Sequence, residues 1–243
     1  MPRASRYILP GHLYHITHRC HNRSFLLKFS VDRNYYRACL REAAHRYKVS
    51  ILGYCITRNH IHLIVCCLRP HSISRFMQFV EGRSAQQYNT RKKRKGAFWE
   101  DRYFCTMIQN GRYLWNCLRY IDLNMMRAGV VLHPSEWVWC GYSEFMGLRV
   151  RYRILDIPTL LVMLGFSDVE NARKFYREDI ALHSAAGDMK RRPVWTESLA
   201  VGDRAFVAAM KKRIPRMRTY STKDETFAGA DIWSIKEKKR PYT

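Results

Sequence analysis

Residues 50–68 read SILGYCITRNHIHLIVCCL, two apolar runs rich in β-branched residues and separated by an Arg-Asn pair. That pattern predicts a β-hairpin. Around it the hydrophobic period changes repeatedly. HLYHITHR (12–19) alternates as a strand. VDRNYYRACLREAAHRYKV (31–49) sets Tyr36, Leu40, Ala43 and Tyr47 at helical spacing, with Asp32 placed to cap. SISRFMQFVEGRSAQQYNTR (72–91) carries a stripe of Ile73, Phe76, Phe79 and Val80. A strand follows in AFWEDRYFCTMI (97–108), then a helix in RYLWNCLRYIDLNMMRAG (112–129), closed by Gly129 as C-cap. The order β-α-β-β-α-β-α predicts an α+β fold of the ferredoxin-like (split βαβ) kind, an antiparallel sheet with helices on one face and the other face open to a ligand.

Beyond about residue 150 the pattern turns helical. DIPTLLVMLGF, SDVENARKFYREDIALHSA with a capping box from Ser167 to Glu170, and GDRAFVAAMKKRI predict three helices, and KEKKRPYT predicts a loose basic tail. The expected division is a domain over 1–150 and a helical C-terminal extension over 151–243.

Charge narrows the partner. Lys and Arg number 43 against 20 Asp and Glu, a net charge of +23 spread along all 243 residues. Such a field attracts polyanions, nucleic acid first among them. A membrane partner is not expected, because no apolar segment of about 18 residues occurs. The N-terminus shows no signal-peptide core, so the expected location is the cytoplasm, in association with the nucleoid in a bacterium. The eight cysteines show no C-x-x-C pair, and in a reducing compartment they read as small buried hydrophobes.

Within the hairpin, strand alternation puts His60 and His62 on one face and Ile61, Leu63 and Val65 on the other. The two histidines are about 6 to 7 Å apart at Cα, close enough to share a metal ion. Cys66 shares their parity but lies about 13 Å along the strand, too far to join them. An isolated H-x-H does not by itself separate a metal pair from two hydrogen-bonded histidines. On the predicted helix 112–129, Tyr120 and Asn124 stand at i and i+4 on one face. Asn124 offers an amide oxygen that suits Mg²⁺ or Mn²⁺ beside imidazole. Tyr120 offers a hydroxyl, although Leu114, Cys117, Leu118 and Ile121 form an apolar stripe that could equally claim it for the core.

These residues carry a family resemblance. NHIHLIV resembles the His-hydrophobe-His motif of HUH nucleases, and GAFWEDRYF followed by LRYIDLNMMRAGVV is similar to REP-associated tyrosine transposases, single-tyrosine members of that group. The likeness spans about residues 10–146 and includes HNRSFLL, SRFMQ and YNTRKKRKG. ESLAVGDRAFVAAM is similar to a C-terminal segment of longer members. ITRNH departs from the Met-Pro that many relatives carry before Asn-His, which alters the hairpin and leaves the ligand positions intact.

The resemblance implies a divalent-metal-dependent endonuclease and strand transferase acting on single-stranded or hairpin DNA. Tyr120 would be the nucleophile that becomes joined to the 5′ phosphate, with His60, His62 and Asn124 as metal ligands. The basic run Arg91, Lys92, Lys93, Arg94 and Lys95, together with Arg102 and Tyr103 on the predicted fourth strand, supplies DNA-contact candidates; Trp99 and Phe104 could be core. His12, His15, His18 and His21 are too spread to form one metal site. The alternatives are a hairpin-binding protein with little or no transposition activity and an RNA-binding ferredoxin-like domain. Monomer and homodimer both stay open.

Overall fold

The computed structural model describes residues 8–187, 190–214, 220–225 and 231–237. Strand β1 (Leu13–Arg19) leads to helix α1 (Ser30–Tyr47), and β2 (Ser50–Ile56) and β3 (His60–Cys66) form the hairpin. Helix α2 (Ser72–Arg91) precedes β4 (Phe104–Ile108), and α3 (Arg112–Asp122) is followed at once by α4 (Asn124–Arg127). These four strands lie in the order β2-β3-β1-β4, antiparallel throughout, which is the split βαβ arrangement.

The C-terminal half contains α5 (Tyr142–Phe145), α6 (Ile157–Leu164), α7 (Val169–Ala185), α8 (Val194–Glu197), β5 (Ala200–Gly202), α9 (Arg204–Arg213), β6 (Tyr220–Asp224) and β7 (Trp233–Glu237). The expected helices are there, with three strands besides. β5 pairs in parallel with β4, and β7 and β6 follow, so one sheet of seven strands runs from β2 to β6. The expected tail lies mostly outside the described residues. None of the described helices is long and apolar enough to cross a membrane.

The caps differ from expectation. Asp32 sits inside the first turn of α1, where its buried carboxylate accepts from Arg91, and Phe29 occupies the cap position. Helix α7 is capped by Asp168, whose carboxylate accepts from the Asn171 N–H at 2.7 Å, in place of a Ser167–Glu170 box. Gly129 does close its helix, at φ +64°.

Both sheet faces are covered, which corrects the expectation of an open one. β1 pairs with β3 so that Thr17 lies opposite His62 and His18 opposite Ile61. Paired residues share a face, so Arg19, Thr17 and His15 stand with His60, His62 and Ile64. The opposite face carries His18, whose Nδ1 is 3.0 Å from Glu81 of α2. Helix α3 packs on the histidine face at Gly53, where a Cβ would come within 2.7 Å of Leu118 Cδ1 and 3.0 Å of Ile121 Cδ1. Glycine there lets the helix approach β2 closely. Trp195 of α8, wholly buried, lies over His15 on the same face.

Candidate active site

The alternation seen in the sequence brings His60 and His62 to one face, with ring centroids 5.0 Å apart. Each ring is held through Nδ1. Asn59 donates its Nδ2 to the Arg23 carbonyl at 3.1 Å, which turns its Oδ1 toward His60 Nδ1 at 2.7 Å. An amide oxygen only accepts, so the His60 proton is on Nδ1 and its Nε2 keeps the lone pair. Thr57 Oγ1 lies 2.9 Å from the same nitrogen. His62 Nδ1 lies 2.9 Å from His15 Nε2, and its Nε2 lies 3.1 Å from Asn124 Nδ2.

Tyr120 and Asn124 do flank His62, but not from one regular helix. Helix α3 ends at Asp122, and Leu123, with ψ 2°, joins it to α4. The Leu123 N–H still donates to Arg119 O at 3.0 Å, so the four-residue spacing survives the break. Buried Asp122 anchors this junction, accepting from Tyr176 Oη at 2.6 Å and Cys140 Sγ at 2.9 Å. The Tyr120 ring stands edge-on to His62 with centroids 6.0 Å apart and tilts against Trp195 at 6.5 Å. It is only 7% exposed, so it packs as the apolar stripe of α3 allowed.

Three arginines around this spot were not singled out in the sequence. Arg127 lies over the Tyr120 ring, 4.2 Å from its centroid, and donates to the Tyr120 carbonyl. Arg19 stands opposite His60. Burial is the main cause that lowers His60 to about 4, and the charges of Arg19, Arg127 and Arg191 add to it. Burial also lowers His15 to about 4 and His62 well below its ordinary value. All three rings are therefore neutral at physiological pH. Burial raises the Tyr120 phenol, Arg127 and Arg191 pull it back in part, and the group stays protonated. Arg127 stands seven residues after Tyr120, a helical repeat that could have exposed it; Arg191 had no such signal.

His15 is the other omission. It is completely buried and touches His62, so it lies in the site itself. His18 instead stacks on Trp99, centroids 4.3 Å apart, on the opposite face.

The basic run divides. Arg91 ends α2 and pairs with Asp32, and Arg94 donates to Asn89 Oδ1 and the Ala97 carbonyl. Lys92, Lys93 and Lys95 are exposed. Arg102 and Tyr103 lie before β4, which begins at Phe104; Arg102 is exposed and Tyr103 buried. The segment after the run returns to the site edge, where the Glu100 N–H donates to Arg19 O at 2.9 Å. Phe104, 37% exposed, shares the histidine face and is not core.

All eight cysteines are free, seven of them buried. Among the described residues no cluster of three or more His, Cys, Asp or Glu side chains could hold a metal ion. Two neutral imidazoles that carry their lone pairs on Nε2, the His62 one facing the Asn124 amide, nevertheless form a donor set that suits a divalent cation.

Residues 9–124, which include every one of these site side chains except His15's anchor in α8 and the arginines beyond Asn124, match the model of the family described as transposase IS200 like. That segment is similar to IS200-like transposases. The fold agrees. The chain is similar, at TM-score 0.51 and 19% identity, to a REP-associated tyrosine transposase solved bound to a REP hairpin, covering 65% of this chain and 93% of that one. A Deinococcus radiodurans R1 protein described as a transposase aligns at TM-score 0.34 and 17% identity, over 43% of this chain and 84% of that one, too loosely to carry weight. No curated protein matches significantly. The family match thus ends at Asn124, the residue that meets His62, and the likeness in fold continues into the C-terminal half.

The buried ionisable groups of the domain give a stability test. In the unfolded chain His15, His60 and His62 take up protons near pH 6.5, whereas in the native state His15 and His60 do so only near 4 and His62 well below its ordinary range. The unfolded state binds more protons in that window, so stability falls as pH falls through it. Asp122 opposes this: burial raises it to about 7, so its native proton favours folding most at low pH. Three imidazoles outweigh one carboxyl. Metal-free protein is expected to lose on the order of 1 kcal/mol per pH unit for each uncompensated proton between about pH 6.5 and 4. Thermal melts read the slope, His62→Asn should reduce it by about one proton, and a stability that is flat or rises on acidification contradicts the burial account.

Proposed function

We propose that this protein is a divalent-metal-dependent endonuclease and strand transferase that cuts single-stranded DNA at or near hairpins through Tyr120. The observation that carries the reading is the meeting of Tyr120, His62 and Asn124, from elements some sixty residues apart, beside His60. His60, His62 and Asn124 would hold a Mg²⁺ or Mn²⁺ ion. Bound there, the ion would polarise a non-bridging phosphate oxygen and offset the charge that repels a nucleophile.

The chain's own residues supply the rest. The Tyr120 oxygen attacks phosphorus, the bond to the 3′ oxygen breaks, and the proton lost from the phenol is balanced by one gained on the departing 3′ hydroxyl. The DNA 5′ phosphate is left esterified to Tyr120. Phosphotyrosine retains the energy of the broken ester, so a 3′ hydroxyl can reverse the step and join strands. Arg127 over the phenol and Arg19 beside His60 place positive charge where a phosphate must sit. The packing of Tyr120 against Trp195 and Arg127 limits its rotamers, which favours an in-line approach.

A labelled hairpin oligonucleotide incubated with the protein and Mn²⁺ should give an adduct that survives denaturing electrophoresis. No adduct across a panel of palindromic hairpins would overturn the reading, and binding without cleavage would favour the hairpin-binding alternative. Lys92, Lys93 and Lys95 extend the site as a backbone contact. Changing all three to Ala should weaken hairpin binding whatever the sequence and reduce the slope of log K against log salt by about 2 to 3. An unchanged slope removes these lysines from the interface.

A further inference from the structure

The two nitrogens of His15 make contacts with different demands. Nδ1 lies 2.8 Å from the carbonyl oxygen of Trp195, in α8, and Nε2 lies 2.9 Å from Nδ1 of His62. A carbonyl oxygen only accepts, so Nδ1 of His15 carries the proton. A neutral His15 then has a lone pair on Nε2, and the contact to His62 requires His62 to donate from Nδ1. His62 is left with its lone pair on Nε2, the nitrogen that faces Asn124 at 3.1 Å. The direction of this chain is set at one end by a backbone atom that cannot reverse its role. Both rings are buried from solvent, which opposes the charged forms that would permit the other direction.

We infer that His15 is a positioning residue, which takes its orientation from the Trp195 carbonyl and holds His62 in the tautomer with the proton on Nδ1 and the lone pair on Nε2. The segment bearing Trp195 lies beyond the transposase-family match at 9–124, so the C-terminal half completes the support of the candidate metal site. A first ligand's outer hydrogen bond sets its tautomer, ring orientation and basicity, and losing such a bond commonly weakens metal affinity 10- to 100-fold. The consequence for affinity rests on the reading of His60 and His62 as metal ligands; the tautomer does not.

The tautomer is read directly on the full chain without metal, by long-range proton–nitrogen correlation of ¹⁵N-labelled protein at neutral pH. His62 is expected with a protonated Nδ1 and an unprotonated Nε2. His15→Leu removes both contacts, and is expected to return His62 to a mixture of tautomers and weaken Mn²⁺ binding by about 10- to 100-fold in a paramagnetic titration. His15→Gln carries a donor and an acceptor about as far apart as the two ring nitrogens, and should restore affinity to within a few-fold. A wild-type His62 protonated on Nε2 overturns the inference whether or not His15→Leu folds. So does a folded His15→Leu with wild-type Mn²⁺ affinity when His62→Ala has lost it. If His62→Ala binds Mn²⁺ as the wild type does, the metal reading fails and takes the affinity consequence with it, and the nitrogen spectrum still decides the tautomer.

Discussion

Tyr120→Phe should form no covalent adduct with hairpin DNA while binding it within about twofold of wild type. The substitution removes one oxygen from a side chain that is only 7% exposed and keeps the ring that packs on Trp195, stands edge-on to His62 and lies under the Arg127 guanidinium. The fold and the basic surface are untouched. Removing a covalent nucleophile costs on the order of 10⁴-fold or more, since no neighbouring group takes over its bond to phosphorus. Gel-shift and adduct assays on one hairpin separate the two effects. An adduct that persists in the Phe variant assigns the nucleophile elsewhere, and lost binding would mean that the hydroxyl serves recognition.

His60→Ala and His62→Ala should each reduce Mn²⁺-dependent cleavage by at least about 10³-fold and weaken Mn²⁺ binding by more than 100-fold, because two imidazoles and one amide leave little redundancy. Their stabilities should diverge. His60 is partly exposed, so its removal should be tolerated. His62 is buried between His15 and Asn124, so Ala there leaves two polar groups unpaired and costs roughly 1 to 3 kcal/mol. Calorimetric titration with Mn²⁺ and thermal melts measure both quantities. If both variants cleave as the wild type does, the histidines are packing residues.

The pairing of H-x-H with Tyr120 and Asn124 came from the family resemblance, and the first four strands and the long helices were legible because each lies in a stretch long enough to show its period. Strands β5 to β7 were not: each spans only three to five residues, and β5 gains its place by pairing with β4, a contact that no local pattern announces. The covered histidine face follows from the same limit, since α8 is a four-residue helix. His15 was hidden by register. Its parity with Thr17 and Arg19 was visible, but only the pairing of β1 with β3 sets it beside His62. Asp32 was misread as a cap because sequence spacing cannot show that Arg91, 59 residues on, claims its carboxylate.

The most direct test of the tyrosine mechanism is mass spectrometry of a tryptic digest, after wild-type protein has reacted with a hairpin oligonucleotide and Mn²⁺ and the DNA has been trimmed by nuclease. One nucleotide phosphate is expected on the peptide containing Tyr120, esterified at that side chain. A nucleotide on any other residue, or cleavage that proceeds with none attached, would contradict it.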